Sequence, residues 1–84
     1  MTITLEQART RIRKVFNYGY AAMDGNGLWC WYLKKPKWDK EKGKWVFSGA
    51  FTILNFMRLH VAVSPENSLI RITDTEQRGL GFKY

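Results

Sequence analysis

The chain holds one cysteine, one histidine, two prolines and seven acidic residues in 84 positions. Each shortage closes a route. With Cys30 alone, no disulfide can form within the chain, and a four-ligand zinc site built on cysteines is excluded. His60 stands alone between Leu59 and Val61, which reads as a core or surface histidine rather than a catalytic one. Cys30 sits in an aromatic strand and reads as a small buried apolar residue, and no local pattern marks Cys30 and His60 as an activated pair. The acids are scattered. Asp39 and Glu41 lie among lysines, where nothing separates the pKa values of a carboxylate pair for acid–base work. Asp24 and Asn26 supply too few oxygens for the roughly 6–8 that calcium takes. Gly25-Asn26-Gly27 leads into a strand, whereas a dinucleotide-binding fingerprint must open a helix. No apolar run approaches the ~20 residues of a membrane span, and the opening MTITLEQART lacks the apolar run of a signal peptide. These absences predict a protein without catalytic activity, cofactor or metal, at home in a reducing cytoplasm.

What is present is concentrated. The stretch Gly27–Trp45, GLWCWYLKKPKWDKEKGKW, contains all four tryptophans and six lysines. A chain of 84 residues has room for one core, so residues 1–84 are expected to form a single domain. Aromatic side chains, each able to bury roughly 150–250 Å², would replace the missing cross-links. The net charge of +7 is also localised. Arg9, Arg11, Arg13 and Lys14 outnumber Glu6 in segment 5–18. Lys34, Lys35, Lys37, Lys40, Lys42 and Lys44 outnumber Asp39 and Glu41 in segment 34–44, and elsewhere the charges cancel. Such clustering suits an anionic partner. It equally suits plain solubility, since small domains commonly carry a net charge of about 2–8.

The spacing predicts a helix over about 5–18. Thr4-Leu5-Glu6-Gln7 forms a capping box, and Leu5, Ala8, Ile12, Val15 and Phe16 line one face. Arg9, Arg13 and Glu6 fall on the opposite side, and Gly19 is the expected left-handed stop. Asp24-Gly25-Asn26-Gly27 is a turn between strands at about 20–23 and 28–33. In the second strand Trp29, Trp31 and Leu33 share one face, and Leu28, Cys30 and Tyr32 the other. Pro36 ends it or confines it to an edge. After the polar loop 39–43, segment 44–48 returns as a strand, which makes 28–48 an aromatic, basic hairpin. Over 50–59 the spacing of Phe51, Leu54 and Arg58 with Ile53, Met57 and His60 predicts a second short helix, although the composition of 51–56 also suits a strand. Ser64-Pro65 starts a turn or one helical turn. A last strand over about 68–73 turns Ile70 and Ile72 inward, and a loose tail, 74–84, can tuck back Leu80 and Phe82. The expected fold is α+β: an N-terminal helix packed on a small three- to four-stranded, mainly antiparallel sheet, with a second short helix.

Gly27, Trp29 and Tyr32, then Lys35, Pro36, Trp38, Asp39 and Trp45, then Asn67, Ser68, Leu69 and Ile72 form a pattern over about a third of the chain. It resembles small uncharacterised proteins of bacteriophages and prophages. The resemblance implies a genomic context rather than an activity: short accessory proteins of this kind bind and block a bacterial host component, including defence systems, in the host cytoplasm. No residue roles come with it.

Several binding hypotheses remain. In the first, a host protein or nucleoprotein complex is the partner, and the hairpin with the basic side of the first helix is the working surface: Arg9, Arg13, Lys34, Lys35, Lys37, Trp38, Lys40, Lys42, Lys44 and Trp45. There tryptophan would anchor and lysine would steer. In the second, nucleic acid is bound directly. The lysines would neutralise phosphates while Trp38, with Trp45 or Trp31, stacks on bases at roughly 1–3 kcal/mol each. The preponderance of lysine over arginine points to backbone contact without sequence reading. A third is capture of an anionic nucleotide between protomers. Against all three stands the reading that Trp29, Trp31 and Trp45 are simply core, which leaves Trp38, between lysines and just after Pro36, as the indole most open to a partner. A membrane surface is the weakest partner, because the helix's apolar face is needed inside.

Overall fold

A computed structural model of the chain describes residues 2–72; the expectation that Leu80 and Phe82 tuck back lies outside them. The element order is β1 (Thr2–Ile3), α1 (Leu5–Arg13), β2 (Gly19–Met23), β3 (Trp29–Tyr32), β4 (Lys37–Asp39), β5 (Lys44–Val46), β6 (Phe51–Ile53), β7 (His60–Val61), a 3-10 turn (Pro65–Asn67) and β8 (Ile70–Ile72). The class is mixed α+β. A four-stranded antiparallel sheet in the order β6-β3-β2-β8 is its centre, with β4–β5 and β1–β7 as two separate two-stranded ribbons.

The capping box forms as its residues dictate. The Gln7 N–H donates to Thr4 Oγ1 at 3.1 Å, and the Thr4 N–H donates to Gln7 Oε1 at 2.9 Å. The helix is shorter than the 5–18 expected, ending at Arg13 with Lys14 as C-cap. Phe16 leaves the helical path to stack on Trp31, with ring centroids 4.6 Å apart, and Val15 is left exposed rather than on the inner face. Trp31 also fixes the next bend, because its indole N–H donates to the Tyr18 carbonyl at 2.8 Å. Gly19 has φ +91°, and a Cβ there would sit 2.6 Å from Trp31 Nε1. Only glycine fits both the angle and the contact.

The cross-strand register sorts side chains onto two faces. Ala21 and Met23 of β2, Trp29 and Trp31 of β3, and Ile70 and Ile72 of β8 share the first face. There they meet Ala8 and Ile12 of α1, together with Leu54, Met57, Ile3 and Val61. Ala22, Cys30 and Tyr32 point to the second face, where Trp45 closes over them.

Two expectations need correction. Segment 50–59 is not a helix: it holds β6, a turn and the approach to β7. Leu54 and Met57 are both buried, joined by a turn in which the Met57 N–H donates to the Leu54 carbonyl at 3.0 Å. Their three-residue spacing thus comes from a turn dipping into the core, and Thr52, β-branched, sits in a strand where it is favoured. The other correction concerns the hairpin. Segment 44–48 does not return against 28–33. Its strand, β5, pairs with β4, while β6 takes the place beside β3. The second helical element is the single turn at Pro65–Asn67.

Candidate functional site

The β4–β5 ribbon lies across the second face of the sheet because its two tryptophans point that way. Trp38 and Trp45 are directly opposed in the register and touch edge to face, with centroids 5.4 Å apart. Trp45 is buried, and its indole N–H donates to the Met23 carbonyl at 3.0 Å and approaches that of Pro65 at 3.3 Å. Three bonds clamp the ribbon to the β2–β3 turn. The Trp45 N–H donates to the Asp24 carboxylate at 2.9 Å, the Gly25 N–H donates to the Gly43 carbonyl at 3.0 Å, and the third is the indole bond just described. A Cβ on Gly25 would lie 2.5 Å from that Gly43 oxygen, so the approach is close enough to require glycine. Asp39 closes the ribbon's own loop by accepting the N–H groups of Glu41 and Lys42, each at 3.0 Å. Its carboxylate therefore has a structural task. Nearby, Ser68 is sealed inside, with its hydroxyl accepting the Met23 N–H at 2.8 Å and donating to the Pro65 carbonyl at 2.6 Å.

The ribbon covers only part of the second face. Beside it an open groove of about 400 Å³ runs from Asp24 and Leu28 past Cys30 and Tyr32 to Val46, Phe47, Phe51 and Ile53, with Lys42 and Lys44 on its rim. Val46, Phe47, Phe51 and Ile53 are 39–49% exposed, which places four large apolar side chains together in water. The rings form a chain: Tyr32 to Phe47 at 5.1 Å and Phe47 to Phe51 at 4.6 Å. Contiguous exposed apolar surface rimmed by polar groups is the usual mark of an interaction site.

The sequence-derived site residues divide. Lys34, Lys35, Lys37, Lys40, Lys42 and Lys44 are all exposed, and among the described residues none is paired with an acid. Lys42 and Lys44 reach the groove, whereas Lys37 and Lys40 flank a shallower hollow beside Trp38. Trp38 is half-buried and Trp45 is core, as are Trp29 and Trp31, so the ring faces expected to stack on a partner are largely taken up by the fold. Arg9 and Arg13 do not extend the ribbon's positive surface. They belong to α1, which packs on the first face, and each is half-buried with its Nε sealed from solvent. Arg11 and Lys14 are the exposed cations of the helix. The groove's Phe47, Phe51 and Ile53 were not singled out as site residues. The β-strand alternation across Phe51-Thr52-Ile53 was the available signal, masked by the helix-like spacing.

Cys30 and Tyr32 line the groove floor as neighbours. Burial pushes the Cys30 thiol up, the negative charge of Asp24 adds to this, and the Tyr32 hydroxyl partly offsets it. Burial likewise raises Tyr32, with Cys30 and Asp24 acting in the same direction. Both are held neutral, the opposite of what a thiolate nucleophile needs. His60 lies elsewhere, on β7, with its Nδ1 3.2 Å from Thr2 Oγ1. Among the described residues no group of histidine, cysteine and acid residues could hold a metal ion, and no helix is long and apolar enough to cross a membrane. No protein family, curated protein or solved structure matches this chain.

Proposed function

We propose that this protein is a non-enzymatic binding protein that engages an acidic protein surface, a bacterial host component in keeping with the phage-type resemblance, through the lysine-rimmed aromatic groove. One observation carries the reading: Val46, Phe47, Phe51 and Ile53 stand exposed in one concavity whose rim holds Lys42 and Lys44. An apolar floor provides the area that anchors a protein partner, and the surrounding ammonium groups steer an acidic one. Lys34, Lys35, Lys37 and Lys40 add to the steering field. Direct nucleic-acid binding draws less support from the indoles: three are sealed, and Trp38 turns against Trp45 instead of offering two free faces.

The test is a pull-down from bacterial lysate with the tagged protein, beside Phe51→Asp and the double variant Lys42→Glu, Lys44→Glu. A defined protein partner should be recovered by the parent chain and lost by both variants while circular dichroism stays unchanged. Titration with generic DNA and RNA at low salt is the second arm. Binding there that weakens with log–log slopes of roughly −0.7 to −0.9 per phosphate, with no protein recovered, would replace the protein partner by nucleic acid.

A further inference from the structure

The groove's outer wall is β6, and β6 is an edge strand of the four-stranded sheet. The register fixes which of its backbone groups are used. Leu33 N–H donates to the Ala50 carbonyl and Leu54 N–H donates to the Trp29 carbonyl, so Thr52, opposite Trp31, is the β6 residue bonded inward to β3. The N–H and C=O of Phe51 and of Ile53 consequently point away from the sheet. Among the described residues they have no hydrogen-bond partner, and all of β6 is exposed. The side chains of the same two residues enter the groove. An unpaired strand edge and an open aromatic groove thus meet at the same residues.

We propose, building on the groove as the binding site, that the acidic partner docks as an extended strand added to β6. Its backbone pairs with the outward groups of Phe51 and Ile53. Every second side chain of that strand falls on the groove side, where an apolar residue meets Phe51, Ile53 and Phe47. Acidic residues two positions along the same strand, on the same face, reach Lys42 and Lys44. Charge selects the occupant. A second copy of this chain would bring its own lysines to the same rim under a net charge of +7, whereas an acidic segment is attracted. The short strand and the lysines around it also discourage self-pairing.

The experiment uses the full chain and two synthetic peptides of the repeat Val-Thr-Glu-Thr, which sets valine and glutamate in turn along one face of an extended strand. They are identical except that one has its alternate backbone amides N-methylated, which removes the donors while keeping charge and side chains. The unmodified peptide should bind, the N-methylated one should bind at least about tenfold more weakly, and amide exchange at Phe51 and Ile53 should slow on binding. On the protein side, Ile53→Pro deletes an outward N–H without touching the inward ladder and should weaken binding further than Ile53→Ala, which keeps the donor. Equal binding of both peptides would overturn strand addition while leaving the groove as the site. Failure of both peptides to bind, with Lys42→Glu and Lys44→Glu inert in the lysate test, would remove the groove reading itself. A concentration-dependent dimer abolished by Ile53→Pro would assign the edge to a second copy and overturn the proposal.

Discussion

The two faces of the central sheet received similar aromatic endowments and ended differently. On the first, α1 and the Leu54–Met57 turn press against Trp29 and Trp31 and bury both indoles. On the second, the β4–β5 ribbon brings Trp45 onto Cys30 and Tyr32, then runs out, leaving Phe47, Phe51 and Ile53 uncovered. Each ribbon strand spans only three residues, about 10 Å of chain. A helix at that position would have closed the face. The smaller cover keeps the fold anchored by one indole and leaves the remaining apolar surface beside the lysines, which is the combination a protein partner can use.

The largest expected effect lies in that one indole. Trp45→Ala should cost about 3–5 kcal/mol, as large aromatic truncations do. Because a domain this small holds only roughly 3–5 kcal/mol in total, urea titration should show a largely unfolded chain. Next, the two faces should respond in opposite ways to trimming. Ile12→Ala on the sealed face should lower the unfolding free energy by about 2–5 kcal/mol. Phe51→Ser on the open face should change it by no more than about 0.5 kcal/mol, yet abolish partner recovery. Equal destabilisation by the two would mean that the groove is core.

A subtler contrast separates the tryptophans. The Trp45 N–H serves the buried Met23 carbonyl, whereas the Trp29 N–H is buried without a hydrogen-bond partner among the described residues. Trp29→Phe removes an unsatisfied donor, so Trp45→Phe should be the costlier by about 1–3 kcal/mol in denaturant titration. The smallest effect concerns pH. Cys30 and Tyr32 ionise less readily in the fold than at their ordinary values of 9.0 and 10.0. A raised folded pKa means that the stabilisation is complete below the unfolded value and is lost as pH climbs above it. Stability should therefore be level through neutral pH and begin to fall above about pH 9. The double variant Cys30→Ala, Tyr32→Phe should flatten that decline.

Local chemistry was legible in the sequence, and long-range arrangement was not. The Thr4–Gln7 capping box and the strand alternation that separates Trp29 and Trp31 from Cys30 and Tyr32 follow from neighbours in the chain and appear in the fold; Gly19 is left-handed as expected, but it opens β2 instead of stopping α1. The inward-facing Ile70 and Ile72 also appear in the fold. The failures share a cause. Phe51, Leu54 and Met57 carry helical spacing, but Leu54 and Met57 reach the core from a turn. Arg9 and Arg13 looked like solvent cations because periodicity places only the Cβ, and a long side chain can lay its stem along the protein. The groove depended on which strand sits beside β3, and β6 wins that position because β5 is drawn over the face by Trp45. No local pattern encodes that choice.

The most direct measurement is the affinity of the Val-Thr-Glu-Thr repeat peptide for the parent chain and for Phe51→Asp, read by isothermal calorimetry at low and at moderate salt. Binding to the parent that weakens with salt and disappears in Phe51→Asp is the expected outcome, because the exposed rings anchor and Lys42 and Lys44 steer. Unchanged binding to Phe51→Asp would contradict the account, since contact would then rest on dispersed charge rather than on the half-covered face of the sheet.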